Sequence, residues 1–273
     1  MKMRHLIITT VFMLFATTSW AGWEITYRVS GDQGSISYDV MLIDDNLVKY
    51  GGVDGGFILN TKTKAFTFLI DQNKSYWSGS INDFRKEMSL ALKTVMDSLL
   101  QSIPEAQREM YTQMLGSMSQ IYDSPRREQI AELNIDIKNT GRTENIAGYD
   151  SQEYEVRVDD KLLESIWIAS GLDVNDDLDS RQIAEMLNEI TPNVEGEIFY
   201  EFSEDYLQLW EKGFRMKSTD HDGEIIEVIK VVEREIASDE LSIPADYSQI
   251  TIQELMQEQM GGDTNEGDSD DGW

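Results

Sequence analysis

Apolar and polar side chains alternate through the first third of the chain. Trp23, Ile25, Tyr27 and Val29 occupy every second position, which is the period of a half-buried strand. Ile36, Tyr38, Val40 and Leu42 repeat the pattern, and Asp44-Asp45-Asn46 follows as a turn. Phe57–Leu59, Ala65–Ile70 and Ser75–Trp77 read as short strands separated by polar turns at 60–64 and 71–74. Such short connections imply antiparallel pairing, because a parallel crossover needs about a dozen residues or more. Gly51-Gly52-Val53-Asp54-Gly55-Gly56 interrupts the series. It lacks the G-x-G-x-x-G spacing and leads into a strand, so it reads as a flexible turn and not as a phosphate cradle.

The period then changes. Phe84, Met88, Leu92, Val95, Met96, Leu99 and Ile103 fall at three- and four-residue steps, predicting an amphipathic helix capped by Asn82 and ended by Pro104. Ser102-Ile103-Pro104-Glu105 has the form of a capping box for a second helix, with Met110, Met114, Leu115, Met118 and Ile121 on its apolar face. The two form an αα-hairpin.

Alternation returns at Leu133, Ile135 and Ile137 and again at Tyr154, Val156 and Val158, followed by a turn at 159–161 and a strand over 162–168. Helices are predicted over 181–190 and from Ser203 through Trp210, the latter stopped by Gly213. Residues 214–219 and 224–235 form a hairpin, and Thr251-Ile252-Gln253-Glu254 caps a last helix. Strands before and after helices, without a βαβ rhythm, give an α+β fold: one antiparallel sheet with helices packed on one face. One domain is expected over 22–260, with a disordered acidic tail over 261–273.

Three further features bound the function. Met1–Ala21 has Lys2 and Arg4, an apolar stretch from Leu6 to Ala16, and small residues at Ser19 and Ala21, the pattern of a cleaved secretory signal. The stretch is too short for a span of about 20 residues, so a periplasmic protein with no membrane span is expected. There is no cysteine, hence neither a disulfide framework nor a lipid attachment site. Removing the signal leaves 21 basic against 51 acidic residues, a formal charge of −30. Nucleic acid is excluded as a partner, because phosphate binding needs a cationic face.

Candidate chemistry is sparse. One histidine, His221, remains after the signal, in a turn between Asp220 and Asp222, and no nucleophile elbow accompanies it. Asp173, Asn175, Asp177 and Asp179 alternate like the start of a calcium loop, but Leu178 stands where glycine is needed and Ala184 where a bidentate Glu is needed. Helix capping explains the same residues. No catalytic residue, metal site or cofactor is assigned, and no enzyme activity is expected. Met88, Leu92, Met96, Met110, Met114 and Met118 are the candidate ligand-binding residues. Methionine recurs on surfaces that accept varied apolar ligands, although an apolar stripe more often fills a core.

Taken together, "LIDDNLVKY" with "FILNTKTKAFTFLIDQNKSYW", "GRTENIAGYDSQEYEVRV" with "SIWIAS", and "WEKGFRMKS" with "SIPADYSQ" resemble a family of exported bacterial proteins of uncharacterised function. The fold of that family is similar to the outer-membrane lipoprotein carriers. Family members often have a cysteine after the "AGY" motif; Ser151 stands in that region here, which removes any thiol-dependent role. The resemblance implies a curved antiparallel sheet, an incomplete β-barrel with helices packed across its open side, around a cavity for a lipid or other apolar ligand. It carries no catalytic residues. The expected function is therefore binding of a lipid-like or apolar ligand in that cavity, with the methionine hairpin as lid. The alternative is an envelope protein-interaction or stress-sensing module with a protein partner and no ligand.

Overall fold

The computed structural model describes residues 22–31, 34–53, 55–104, 133–174, 177–191 and 199–261. The expected signal segment, the second helix of the hairpin with Met110, Met114 and Met118, Asn175, and the tail from 262 onward lie outside the described residues.

Alternating sequence produces two antiparallel meanders. The first comprises β1 (Gly22–Ser30), β2 (Ile36–Asp44), β3 (Leu47–Gly51), β4 (Gly55–Asn60), β5 (Ala65–Ile70) and β6 (Ser75–Ser80). The second comprises β7 (Ile135–Ile146), β8 (Tyr149–Val158), β9 (Lys161–Ala169), β10 (Phe214–Asp220) and β11 (Ile225–Arg234). They meet where β11 pairs with β1, Gly22 opposite Arg234 and Ser30 opposite Ile225. A short β12 (Ser248–Gln249) adds to β6 in parallel, which the sequence pattern did not predict. The result is one open, curved sheet in the order β12-β6-β5-β4-β3-β2-β1-β11-β10-β9-β8-β7.

The tight turns follow from residue type. Asp45 and Asn46 take φ of 44° and 67°, and Asp159 and Asp160 take 49° and 65°. Both pairs adopt the left-handed geometry of two-residue hairpin loops, which Asn and Asp tolerate best after glycine. The glycine cluster is shorter as a turn than its sequence suggests, because Gly55 and Gly56 belong to β4. Glycine is required at 56 for packing: a Cβ there would sit 2.1 Å from the carbonyl oxygen of Tyr50 on the neighbouring strand.

Four helices accompany the sheet among the described residues: α1 (Ile81–Ser102), α2 (Ser180–Ile190), α3 (Glu204–Trp210) and α4 (Ile252–Gly261), with a 3₁₀ turn at Tyr200–Phe202. None is long and apolar enough to cross a membrane. The cap of α1 is Ser80 and not Asn82. The Ser80 hydroxyl accepts from the Asp83 N–H at 3.1 Å, and the Asp83 carboxylate accepts from the Ser80 N–H at 3.1 Å, a reciprocal capping box two residues earlier than expected. α1 ends before Pro104, as predicted. The Thr251–Glu254 box is also present at the start of α4.

Burial joins these elements. Ile81, Phe84 and Ala91 of α1, Ile183 and Met186 of α2, and Ile252 and Leu255 of α4 share one core cluster with Ile25, Ile43, Val48, Leu59, Phe66 and Trp77 of the strands. Phe84 is the hub of an aromatic group, 5.4 Å from the Trp77 ring and 6.1 Å from Phe66, both edge-on. A second cluster sits between Val156, Val158, Ile166 and Ile168 on the strands and Tyr200, Tyr206 and Leu209.

The capping correction is testable. Ser80→Ala should cost about 1 kcal/mol of stability in urea unfolding, whereas Asn82→Ala should stay within about 0.5 kcal/mol of the parent.

Candidate functional site

The second meander carries a buried carboxyl, paired with a half-buried guanidinium, inside an apolar wall. On β9, Glu164 shares the two-residue phase of Ile166 and Ile168, so it points to the same face and is 6% exposed. Its partner is brought there by a backbone irregularity. β10 has a bulge between Arg215 and Lys217: Lys217 stands opposite Trp167, and Arg215 stands opposite Ile168. The extra residue switches Arg215 to the face of Ile168 and Glu164, which a regular strand would have denied it.

Local chain geometry supplies two hydroxyls. Ser203 caps α3 by accepting from the Tyr206 N–H at 3.2 Å, which fixes Tyr206 in the first turn. The Tyr206 and Tyr200 hydroxyls donate to Glu164 Oε2 at 3.0 and 3.3 Å. Arg215 Nη1 lies 3.6 Å from Glu164 Oε1 and 3.5 Å from the Tyr206 hydroxyl, and its guanidinium stands 6.0 Å from the centre of the Trp210 ring.

Burial raises the Glu164 pKa above the ordinary glutamate value, outweighing Arg215 and the two tyrosines, and Asp220 directly opposite on β10 adds to the rise. Burial also pushes Tyr200 and Tyr206 far above the usual tyrosine range, so both remain hydrogen-bond donors. Arg215 is held charged: burial works against it, and Tyr206 and Glu164 more than compensate.

Arg215 and Ile226 line two cavities. One, of about 250 Å³, is mainly apolar, with walls that include Tyr27, Val48, Phe57, Leu59, Ile168 and Leu187. It therefore draws on both meanders and on α2. The other, of about 440 Å³, is polar and contains Glu164, Tyr200, Tyr206, Asp220 and His221. Arg215 keeps 38% of its side chain accessible and lines both spaces. An apolar recess with a few placed polar groups is the usual form of a small-ligand site.

The residues singled out from sequence are distributed differently. Met88 is half-buried on α1 and packs against the main core cluster, and Leu92 is half-buried on the same helix. Neither lines the apolar cavity, whose methionine is Met41 of β2. Met96 lies in α1 with its side chain outside the described residues, as are Met110, Met114 and Met118 entirely. In the acidic loop, Asp179 caps α2 through the Gln182 N–H at 2.9 Å, and Asp177 accepts from the Trp23 indole N–H at 3.1 Å. Among the described residues no group of three or more metal-ligating side chains is assembled. His221 Nε2 is 3.4 Å from Asp222 at the edge of the polar cavity. Sequence reading missed Glu164 and Arg215. Only the first left a signal, a carboxylate in phase with two isoleucines; the bulge that turns Arg215 inward has no visible sequence mark.

Comparison with known proteins gives a family and distant likenesses. Residues 59–247 match the model of a domain of unknown function, DUF4412. No curated protein matches the chain. Among solved structures, PNGF-II in a C2 crystal form is similar at 12% identity with a TM-score of 0.39, over 88% of this chain and 32% of that one. The MucA/MucB complex of Pseudomonas aeruginosa is similar at 12% identity and a TM-score of 0.35, over 83% and 57%. MucB alone gives 12% and 0.33, over 84% and 59%. The chain thus spans about a third of the PNGF-II chain and less than two thirds of the MucB chains. No residue role is carried over from them.

The raised pKa of Glu164 has a defined sign. A carboxyl favoured in its neutral form by the fold contributes stability below its unfolded value near 4.5, and that contribution is lost as pH rises through the folded pKa. Glu164→Gln keeps the neutral shape, so its melting temperature relative to the parent should improve steadily from pH 4 to pH 7. A difference independent of pH over that interval would contradict the assignment.

Proposed function

The chain belongs to the DUF4412 family, a domain of unknown function, and from that premise we propose that it is an exported, non-catalytic periplasmic protein that binds a lipid-like or other apolar group. The observation that carries this reading is the 250 Å³ cavity whose walls combine Tyr27, Val48, Phe57 and Leu59 of the first meander, Ile168 and Ile226 of the second, and Ile183 and Leu187 of α2. In this reading the curved sheet is an incomplete barrel, and the helices lie across its open side. The volume is at the small end of ligand sites and holds roughly eight water-sized groups, enough for one short alkyl chain. The methionine face of α1 is retained as the candidate lid, because Met88 packs on the core cluster that includes Val48, Leu59 and Ile183 of the cavity wall.

A second reading, recognition of a protein partner, is supported by a separate feature. Ile36, Tyr38 and Val40 of β2 alternate along one face and are 60%, 54% and 39% exposed. Photocrosslinking from position 38 in the cell envelope tests it; capture of one specific protein would favour this reading.

Ligand binding is tested by gentle purification, solvent extraction and mass spectrometry, and by titration with a fluorescent alkyl probe. Leu187→Trp should fill the cavity and weaken probe binding by about tenfold or more, with the melting temperature unchanged or raised. Equal binding by parent and variant would remove this cavity as the site.

A further inference from the structure

Arg215 is poorly used for a residue so placed. A guanidinium carries five N–H donors. Among the described residues its one hydrogen bond is the 3.5 Å contact to Tyr206, and its 3.6 Å approach to Glu164 is beyond hydrogen-bond length. Glu164 takes its hydrogen bonds from the two tyrosine hydroxyls on Oε2, and Arg215 faces its Oε1 without reaching hydrogen-bond length. The side chain that carries the remaining donors lines both the apolar and the polar cavity.

That position fits an anionic group at the end of an alkyl chain, which a planar guanidinium grips in two-point fashion. A bare anion, however, meets the wrong field. The charged groups lining the polar cavity are the carboxyls Glu164, Glu201, Asp220 and Glu224 against the cations Lys161 and Arg215. A simple cation is equally mismatched, because Arg215 itself lines both spaces. Both fields are matched by a head group with its anion next to the chain and its cation further out.

Resting on the apolar-ligand reading, we propose that the ligand is a zwitterionic amphiphile. Its chain lies in the apolar cavity, its phosphate or carboxylate on Arg215, and its ammonium against the acidic wall formed by Asp220 and Glu224. Lipid head groups of the phosphoethanolamine type have this order of charges, and so do acylated compounds ending in a carboxylate and an amine.

The test uses the full chain and four probes with the same octyl chain, compared by calorimetry: octylphosphoethanolamine, octyl phosphate, octylamine and octanol. The zwitterion should bind about tenfold more tightly than each of the other three. Arg215→Gln should remove about tenfold from the zwitterion and from octyl phosphate, and leave octanol within about twofold. Octanol binding also reports that the variant is folded, and Arg215→Lys, which keeps the charge without the fork, should fall between the two. Glu224→Gln should weaken the zwitterion and strengthen octyl phosphate. Free phosphoethanolamine, lacking a chain, should not bind at millimolar concentration; if it binds as well as the octyl form, a soluble head-group metabolite is the ligand and the proposal falls. Equal binding of octanol and zwitterion, or tightest binding of octylamine, overturns the proposal and leaves the apolar-cavity reading standing. Failure of all four probes removes both.

Discussion

The pairing of β1 with β11 is the constraint on which the rest of the molecule depends. Each meander is built from neighbours in sequence, but Gly22 to Ser30 must find Arg234 to Ile225 across nearly the whole chain. Closing so long a loop costs entropy that grows only slowly with length, though contacts of this kind form slowly. Register here is protected on both faces. A slip of one residue would turn Ile25 and Tyr27 out of the core. On the opposite face Glu24 holds Lys230 and Arg234, each at 2.7 Å, and Arg28 pairs with Glu227. The cavity exists only because this seam is made: Tyr27 belongs to β1, Ile226 to β11, and Arg215 to the strand beside it.

The strands were legible because a half-buried sheet imposes a two-residue period on its sequence, as in β1, β2, β7 and β8, and because short turns set off the apolar runs between them; ten strands lie where expected. Capping was legible where the box was isolated, as at Thr251 and Glu254. It was misread at α1, where Ser80 closes β6 and opens the helix at once, so that the strand pattern obscured the cap. β12 was invisible because two residues have no period. The candidate site was the least legible part. A ligand surface was sought in the methionines of a helical hairpin, most of which lies outside the described residues, whereas the Glu164 and Arg215 pair sits on a strand face and at a bulge. Glu164 broke the apolar phase of β9 and could have been noticed; Arg215 kept the normal polar phase of β10 and could not.

Buried ion pairs are rarely the most economical way to stabilise a wall, because desolvation offsets most of the attraction. A Glu and an Arg among Ile166, Ile168, Tyr206 and Leu209 therefore conflict with the local apolar pattern, and such conflicts concentrate where a protein does something other than fold. The two tyrosines make the conflict tolerable by satisfying one carboxylate oxygen. What they leave is a cation whose donors are only partly engaged and which lines one polar space and one apolar space.

An open sheet of this length also has two ends, and each end is a template onto which another chain can add. At one, the two-residue β12 lies along β6, with the Ser248 N–H donating to the Lys74 carbonyl at 2.8 Å and the Ile250 N–H to that of Tyr76 at 2.9 Å. At the other, β7 is bulged between Asn139 and Thr143, Gly141 adopts φ of 78°, and Lys138, Arg142 and Glu144 are exposed. A rim covered over Ser75 and Tyr76 and a bent, charged rim both discourage strand addition. The short return after Ser248 thus takes up edge hydrogen bonds of β6 that another strand could otherwise use, and shortening the chain before Ser248 would bare them.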